Sequence, residues 1–379
     1  MKRLAIFLDG TWNTLNNNTN VWRMKSLCEQ TPGQRVYYSQ GVGTQRGESI
    51  KGGVTGYGID AEIIEAYTWL IENFAAGDEI FIFGFSRGAY TARSLSGLIS
   101  KCGILKLGAP LSIEQLYERY RQYNKATTIS ALLNGSPPTD TTPLEERWLF
   151  KYSQATPVKF IGVWDTVGSM GLPITSRHTS YERYKFLDTH LRLQNQNAFH
   201  ALALDEHRQN FEATFWTRTT RHGATPAADR PMDSVEQRWF VGAHANVGGG
   251  YPSDQLAQLP LKWLMDKAAS HGLTFTGTVM IDTLPGVAPI RDSYSEFTHG
   301  FFHFLSKPFY RLVGPPPEVG SDATTSRINE TIDASVFDRW RKDDSYRPQN
   351  IVEWARRKTV DPVTLHGSVM ADTPQISVP

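Results

Sequence analysis

The sequence predicts an α/β protein with a mostly parallel central sheet and helices on both of its faces. Residues 4–8, 80–83 and 158–164 are short, largely apolar runs, and stretches with helical periodicity lie between them. An apolar run of this length is typical of a strand buried on both faces, as in a parallel sheet. Strands that alternate with helices favour crossover connections, and therefore parallel pairing.

The predicted strands share an apolar character and a polar or small residue at the end; they are residues 4–8, 80–83, 158–164 and 239–243. The predicted helices share apolar positions three and four residues apart; they are residues 59–74, 89–100, 198–207 and 256–269. The glycine-rich stretch 41–58 is predicted to be a loop. Asp205 and Arg208 are expected to form a structural ion pair at the end of the third helix.

One catalytic domain is expected to span residues 1–290, because a chain of 379 residues suits a large α/β domain with insertions. A polar stretch rich in tyrosine and arginine, residues 105–156, is predicted to be an insertion that packs on the sheet. Its helices and loops would form a cap. Residues 291–379 show no strand–helix rhythm and are predicted to be a C-terminal segment packed on the same domain.

The composition excludes several classes of function. A formal net charge of +1 gives no strong field that would recruit nucleic acid. The two cysteines, Cys28 and Cys102, supply neither a disulfide framework nor metal-ligand spacing, so no metal is expected. The apolar run 4–8 is too short for a signal peptide or a transmembrane segment. We therefore expect synthesis in the cytoplasm without a cleaved leader, and any export by a leaderless route.

The pentapeptide Gly84-Phe85-Ser86-Arg87-Gly88 lies between a predicted strand and a predicted helix. A G-x-S-x-G sequence at such a turn is typical of a nucleophile elbow, which exposes a serine hydroxyl at the end of the sheet. Gly84 and Gly88 flank the serine because the turn is strained and the helix packs closely behind it. Ser86 is therefore the candidate nucleophile.

Asp165 and His244 also follow predicted strands, and the chain order Ser, Asp, His is that of α/β-hydrolases. The carboxyl ends of parallel strands meet at one edge of a sheet, so both residues can reach Ser86. His244 would accept the serine proton and later pass it to the leaving group. Asp165 would hold the imidazole tautomer and stabilise its charged form. The sequence thus predicts a serine hydrolase of the α/β-hydrolase type.

The predicted oxyanion hole uses backbone N–H groups. The N–H of Arg87 is the expected first donor, because it lies at a helix N-terminus, where the dipole favours negative charge. Gly10 or Thr11, which follow the first strand, are the candidates for the second donor. Asp9 ends that strand and is expected to organise the loop that carries them.

Other interpretations of these residues stay open. Ser86 could be a small residue in a glycine-rich turn, Asp165 a cap of the next turn, and His244 a core histidine. Asp9 is a rival acid and would be the nucleophile of a phosphatase, although such enzymes generally place a second carboxylate where this chain has Thr11. A binding or effector module that keeps the fold without the chemistry is the non-enzymatic alternative.

Five motifs resemble those of one known group of proteins: FLDGTWN at 7–13, GVGT at 41–44, GFSRGAYTAR at 84–93, GVWDTVG at 162–168 and GAHANVGGGY at 242–251. They are similar to the α/β-hydrolase family that includes phospholipase effectors of type VI secretion systems. The resemblance implies a triad of Ser86, Asp165 and His244 that hydrolyses glycerophospholipids or other esters without a cofactor. Asn246 stands where many relatives have aspartate, so a charge beside the presumed base is missing.

A stretch rich in aromatic rings near the C-terminus contains Phe301, Phe302 and Phe304, with Lys307 and Arg311 among them. Rings interspersed with basic residues suit the interface between water and lipid. We therefore interpret this stretch as part of an acyl pocket or a lid that makes a peripheral contact with a membrane. Ordinary core packing is the alternative.

Replacing Phe301 and Phe302 together by serine should impair the hydrolysis of long-chain esters more than that of short-chain esters, because only a long acyl chain would use the apolar surface. The measurement is kcat/KM on p-nitrophenyl esters of increasing chain length, with a check of folding. An equal loss on short and long chains in a folded variant would contradict the acyl-pocket hypothesis.

Overall fold

The computed structural model describes residues 1–10, 18–41, 57–122, 127–167, 191, 194–221, 229–281, 288–291, 308–315 and 323–378. The strands in these ranges are β1 (Arg3–Leu8), β2 (Gln34–Ser39), β3 (Glu79–Phe85), β4 (Ile104–Leu105), β5 (Ser153–Gln154), β6 (Val158–Trp164), β7 (Asn195–Ala203), β8 (Thr217–Arg221), β9 (Val235–Phe240), β10 (Ala323–Arg327), β11 (Glu330–Ile332), β12 (Ser368–Met370) and β13 (Ser377–Val378).

The α-helices in the same ranges are α1 (Asn20–Leu27), α2 (Tyr57–Asn73), α3 (Arg87–Cys102), α4 (Ile113–Arg121), α5 (Ile129–Asn134), α6 (Leu144–Tyr152), α7 (His244–Gly248), α8 (Gln258–Ser270), α9 (Ala334–Lys342) and α10 (Gln349–Lys358). Short 3-10 helices lie at Gln209–Phe211 and Pro362–Thr364. None of the helices in these ranges combines the length and the hydrophobicity that a transmembrane span requires.

Nine of the strands in the described part of the chain form one sheet, in the order β13-β12-β11-β9-β7-β6-β3-β1-β2. Neighbours from β11 to β2 run parallel, whereas β12 pairs antiparallel with both β11 and β13. Ile6 of β1 lies opposite Tyr37 of β2 and Ile82 of β3. Helices cover both faces, which confirms the predicted α/β architecture with its mostly parallel sheet.

Side chains of β1 alternate between two cores, because successive residues of a strand point to opposite faces. Leu4, Ile6 and Leu8 pack in one core with α2 and α3. Ala5 and Phe7 pack in the other core with α1 and α8. The continuous apolar run that predicted this strand therefore reflects burial on both faces.

The described C-terminal residues extend the same sheet. β11 pairs in parallel with β9 and brings Ile332 opposite Trp239. Val336 of α9 and Trp354 of α10 pack with those two residues in a third core. Strands β11, β12 and β13 thus continue the sheet that begins in the first part of the chain, whereas β10 pairs with β8 in a separate two-stranded sheet.

The helix predicted at 198–207 is wrong, because residues Asn195–Ala203 form strand β7. This strand lies between β6 and β9 and is buried on both faces, and its second part, from Ala198 to Ala203, is apolar except for His200. A short run of mostly apolar residues cannot be assigned to strand or helix by periodicity alone. The ion pair predicted between Asp205 and Arg208 is also wrong, since Arg208 binds Glu206 instead.

Strand β2 has no counterpart among the predicted elements. It is the edge strand beside β1, and most of its residues after Gln34 are only partly buried. An edge strand needs no continuous apolar run, because part of each face remains in contact with water. The pattern that identified β1, β3 and β6 is therefore absent here.

Candidate active site

Ser86 lies at the sharp turn between β3 and α3. Its backbone has φ 58° and ψ −122°, a conformation that residues with a side chain rarely adopt. Its N–H donates to the carbonyl of Trp164 at 3.1 Å, which ties the turn to the end of β6. The half-buried serine is thus held by the neighbouring strand in a strained backbone conformation.

Gly84 and Gly88 leave no room for a side chain. A Cβ on Gly84 would lie 2.3 Å from the carbonyl oxygen of Gly88. A Cβ on Gly88 would lie 2.2 Å from the carbonyl oxygen of Leu8 and 2.5 Å from that of Asp9. All of these contacts are with backbone atoms, which cannot rotate away. The N-terminus of α3 therefore packs directly on the end of β1.

The structure brings the three predicted strand-end residues together. His244 Nε2 lies 2.8 Å from Ser86 Oγ. His244 Nδ1 lies 2.6 Å from Asp165 Oδ2. These two hydrogen bonds link the serine hydroxyl, the imidazole and the carboxylate in series, although the three residues follow three different strands.

Asp165 is fully buried and has a positive φ of 38°. Its Oδ1 accepts from the N–H of Ala203 at 3.0 Å, and both oxygens accept from the guanidinium of Arg311 at 2.6 and 3.0 Å. Burial by itself raises the pKa of this carboxyl, but the Arg311 charge and the hydrogen bond with His244 outweigh it. The pKa of Asp165 is therefore held well below its usual value.

His244 is the first residue of α7, directly after the loop that follows β9. The rings of Phe85 and Phe211 lie 4.6 and 5.0 Å from the imidazole, centroid to centroid. Burial lowers the pKa of His244, while the hydrogen bond and charge of Asp165 act in the opposite direction. The ring is therefore neutral near pH 7, and one ring nitrogen can accept a proton.

Asn246 braces the helix that carries His244. Its Oδ1 accepts from the N–H of Ala243 and from that of Arg291, each at 3.1 Å. Its amide donates to Asp254 Oδ2 at 3.2 Å. An ionised aspartate at position 246 would lose this last bond and repel Asp254, which gives a physical reason for asparagine at this position.

Asp9 contacts Gly10, Thr19 and Tyr38, and no described contact joins it to Ser86, Asp165 or His244. Its Oδ2 accepts from Thr19 Oγ1 at 2.5 Å and from the Tyr38 hydroxyl at 3.1 Å. Its Oδ1 accepts from the N–H of Gly10 at 2.8 Å. The Gly10 N–H is thus engaged by Asp9 in this structure, and Thr11 lies outside the described residues.

The N–H of Arg87, the other predicted oxyanion donor, belongs to the first residue of α3 and directly follows Ser86.

A buried acid, Glu62 of α2, lies behind this turn and accepts from Ser39 Oγ at 2.7 Å and from Thr91 Oγ1 at 3.1 Å. Burial raises the pKa of Glu62 to about 7. No sequence motif marks Glu62, so the sequence did not predict a buried acid behind the Ser86 turn.

Arg311 and Glu206 are two further residues of the site whose contacts with Asp165 and His244 the sequence did not predict. Arg311 was assigned to the aromatic stretch near the C-terminus, but the structure places it on Asp165. Glu206 Oε2 accepts from the backbone N–H of His244 at 3.3 Å. Neither contact has a local sequence signal, because each joins residues far apart in the chain. Phe301, Phe302 and Phe304 lie outside the described residues.

No group of three or more histidine, cysteine, aspartate or glutamate side chains in the described ranges could hold a metal ion. The hydrogen-bonded groups of the site are a hydroxyl, an imidazole and a carboxylate. Such a set can activate a serine oxygen by removing its proton, without a bound ion.

Comparison with known proteins places these features in a family. The family model for the catalytic domain of T6SS Tle1-like phospholipase effectors matches residues 2–267. A relative in Saccharomyces cerevisiae, an uncharacterized protein, is 26% identical over 241 residues, which are 57% of this chain and 33% of that protein. The chain therefore spans about a third of the length of this curated relative.

Two solved structures show a distant likeness. An uncharacterized protein from Pseudomonas aeruginosa is 16% identical, with a TM-score of 0.46, over 72% of this chain and 46% of that one. The structure of the Tle1 effector bound to the VgrG spike from the Type 6 secretion system is 16% identical, with a TM-score of 0.32, over 66% of this chain and 51% of that one.

Fold and site together define an α/β protein with serine, histidine and aspartate in hydrogen-bonding contact at the carboxyl edge of a parallel sheet. The family match covers more than half of the chain. The chain belongs to the Tle1-like family of type VI secretion phospholipase effectors, of which it carries the catalytic domain.

Replacing Gly88 by alanine should destabilise the fold by about 3 kcal/mol, because the new Cβ meets two backbone oxygens that cannot move independently. Gly367→Ala is the matched control, since a Cβ there has no atom within 4 Å. Urea unfolding of both variants measures the difference. Equal stability of the two variants would contradict the close approach of α3 to β1.

Proposed function

We propose that this protein is a serine hydrolase that cleaves carboxylic ester bonds and acts as a lipase or phospholipase. The observation that carries the proposal is the hydrogen-bonded chain from Ser86 Oγ through His244 to Asp165. A serine hydroxyl is a weak nucleophile unless a base lies within hydrogen-bond reach, and the 2.8 Å contact meets that condition.

The first half of the reaction transfers the acyl group to the protein. His244 Nε2 takes the proton of Ser86 Oγ as this oxygen forms a bond with the ester carbonyl carbon. The carbonyl oxygen becomes an oxyanion, which the N–H of Arg87 at the start of α3 is suited to bind. When the tetrahedral intermediate collapses, the bond to the alcohol oxygen breaks, and His244 gives its proton to that alcohol.

Water completes the cycle. His244 removes a proton from a water molecule as its oxygen attacks the acyl carbon, and then returns the proton to Ser86 Oγ as the acid leaves. Asp165 accepts from Nδ1, which keeps Nε2 free as the base, and its negative charge stabilises the imidazolium. Atoms and protons balance without a cofactor.

The substrate class rests on the family. Membership among phospholipase effectors supports a lipid or another acyl ester as substrate and a peripheral contact with a membrane. It also supports export by the type VI route, which needs no cleaved leader, after synthesis in the cytoplasm. The phenylalanines 301, 302 and 304 remain our candidates for the acyl pocket or lid.

Ser86→Ala should abolish labelling by a fluorophosphonate probe and reduce ester hydrolysis by roughly a million-fold, to background, because the nucleophile is gone. Ser94→Ala is the matched control; this serine lies on α3, the helix that follows Ser86, and its hydroxyl donates to the Tyr90 carbonyl. The measurement combines probe labelling with turnover of p-nitrophenyl esters and phospholipid vesicles.

The control variant should label and turn over like the natural protein. Absence of labelling in well-folded natural protein would contradict the serine hydrolase and support a binding or effector module that lacks chemistry.

The rate should fall on the acidic side as His244 becomes protonated, because only the neutral ring accepts the serine proton. Burial lowers the pKa of His244 below the usual 6.5, so activity is present above the lowered pKa and is lost as the pH falls through it. The pH profile of kcat/KM on p-nitrophenyl butyrate measures this limb. A midpoint of the acidic limb above pH 6.5 would contradict the lowered pKa that burial gives His244.

A further inference from the structure

We propose that Arg311 is a positioning residue for the triad: its guanidinium fixes the carboxylate of Asp165, and its charge limits the basicity of His244. The proposal rests on the proposed function, since it assigns Arg311 to the same site. Neither the family match, which ends at residue 267, nor any motif assigns a role to this residue.

The carboxylate of Asp165 has every acceptor position occupied. Arg311 donates from one guanidinium nitrogen to Oδ1 at 2.6 Å and from the other to Oδ2 at 3.0 Å. Ala203 N–H takes the remaining position on Oδ1, and His244 Nδ1 that on Oδ2. An ionised carboxylate offers about four such positions. The planar guanidinium of Arg311 therefore fixes the rotation of the Asp165 carboxylate and directs its Oδ2 at His244.

The guanidinium is itself fixed by backbone carbonyls. One nitrogen donates to the carbonyl of Ala203 at 2.7 Å, and the other to the carbonyl of Phe211. Arg311 is 2% exposed, so its charge is hardly screened by solvent. A surface ion pair could adjust its geometry, whereas this pair cannot.

The segment 308–315 that carries Arg311 is held on both sides. The backbone of Phe309 contacts His207 twice: its N–H donates to the His207 carbonyl at 2.9 Å, and its carbonyl lies 3.2 Å from Nδ1 of the His207 ring. Arg327 donates to the carbonyl of Leu312 at 2.6 Å, and Arg357 donates to that of Val313. The positioning cation thus comes from a segment that the C-terminal part of the chain anchors.

Other charged and titratable groups face this site. Glu206 and Arg208, which follow β7, bind each other, with Nε to Oε1 at 2.8 Å. Glu206 also accepts from the His244 backbone N–H. His200 of β7 accepts from the N–H of Thr166 at 3.0 Å. Burial, and next the charge of Arg93, lower the pKa of His200 to about 3, so this ring is neutral.

Among the described residues, the charges beside His244 therefore cancel while its ring is neutral. Two carboxylates, Asp165 and Glu206, face two guanidiniums, Arg311 and Arg208. Protonation of His244 gives the group one excess positive charge. Without Arg311 the group would start with one excess negative charge, which would favour the imidazolium. Arg311 thus keeps His244 neutral, and available as a base, at lower pH.

Two substitutions separate the charge of Arg311 from its shape. Arg311→Met removes the cation, so the Asp165–His244 pair should take up its proton at a pH higher by on the order of one unit. Arg311→Lys keeps the positive charge but not the planar guanidinium, so the acidic limb of the pH profile should stay close to that of the natural protein. In both variants kcat should fall by roughly ten- to a hundredfold, because the carboxylate loses its fixed orientation.

Arg339→Met is the matched control, since Arg339 is also a buried arginine and donates to the Ala288 carbonyl at 2.6 Å, away from the triad. It should leave the pH limb unchanged. Two readouts are used. One is the pH profile of kcat/KM on p-nitrophenyl butyrate. The other is the titration of the His244 ring by NMR of protein with carbon-13-labelled histidine, assigned by the loss of its signal in His244→Gln.

A shift of the His244 titration in Arg311→Met, with little shift in Arg311→Lys, supports the proposal. An unchanged titration in folded Arg311→Met overturns it, and so does an equal shift in the Arg339→Met control. If Arg311→Met fails to fold, natural kcat in folded Arg311→Lys overturns the positioning role. The NMR titration needs no turnover, so failure of the natural protein to hydrolyse any ester would contradict the proposed function and not this inference.

Discussion

The buried carboxylate of Asp165 is the constraint around which the rest of the site is arranged. An ionised carboxylate in a protein interior costs several kcal/mol unless charged and hydrogen-bonding partners replace its water. Partners for Asp165 come from three separate parts of the chain: the end of β7, the N-terminus of α7 and the segment 308–315. Those parts must pack correctly for the charge to be tolerated, so assembly of the fold and assembly of the triad are one process.

A second constraint comes from the turn at Ser86. The glycines at 84 and 88 let the first turn of α3 touch the ends of β3 and β1. On the other side of the site, a Cβ on Gly248 would overlap the ring of Phe85, which packs on His244. Close backbone approaches on both sides thus bring the serine and the histidine within hydrogen-bonding distance. The strain at Ser86 persists because the neighbouring elements leave the backbone no alternative.

The C-terminal part of the chain contributes to the site as well as to the sheet. β11 adds to the parallel strands beside β9, and Trp239 Nε1 donates to Glu330 Oε1 at 2.7 Å. The same Glu330 oxygen accepts from the N–H of Gly314, in the segment that carries Arg311. A single buried acid therefore links the sheet extension to the segment that reaches Asp165. The charge balance around His244 depends on residues from both halves of the chain.

The sequence by itself determined which serine, aspartate and histidine would meet and most of the parallel sheet, because strand ends and flanking glycines can be read from the sequence directly. Strands β1, β3 and β6 were recognisable for the same reason, since burial on both faces leaves a continuous apolar run. Tertiary structure decided what depends on distant contacts. It made residues 195–203 a strand, where the short, mostly apolar stretch that follows Asn197 fits either structure. It also paired Arg208 with Glu206 and placed Arg311 on Asp165, 146 residues away in sequence. No local pattern encodes such pairs, because a charge buried by folding is matched by whichever group the packing brings to it.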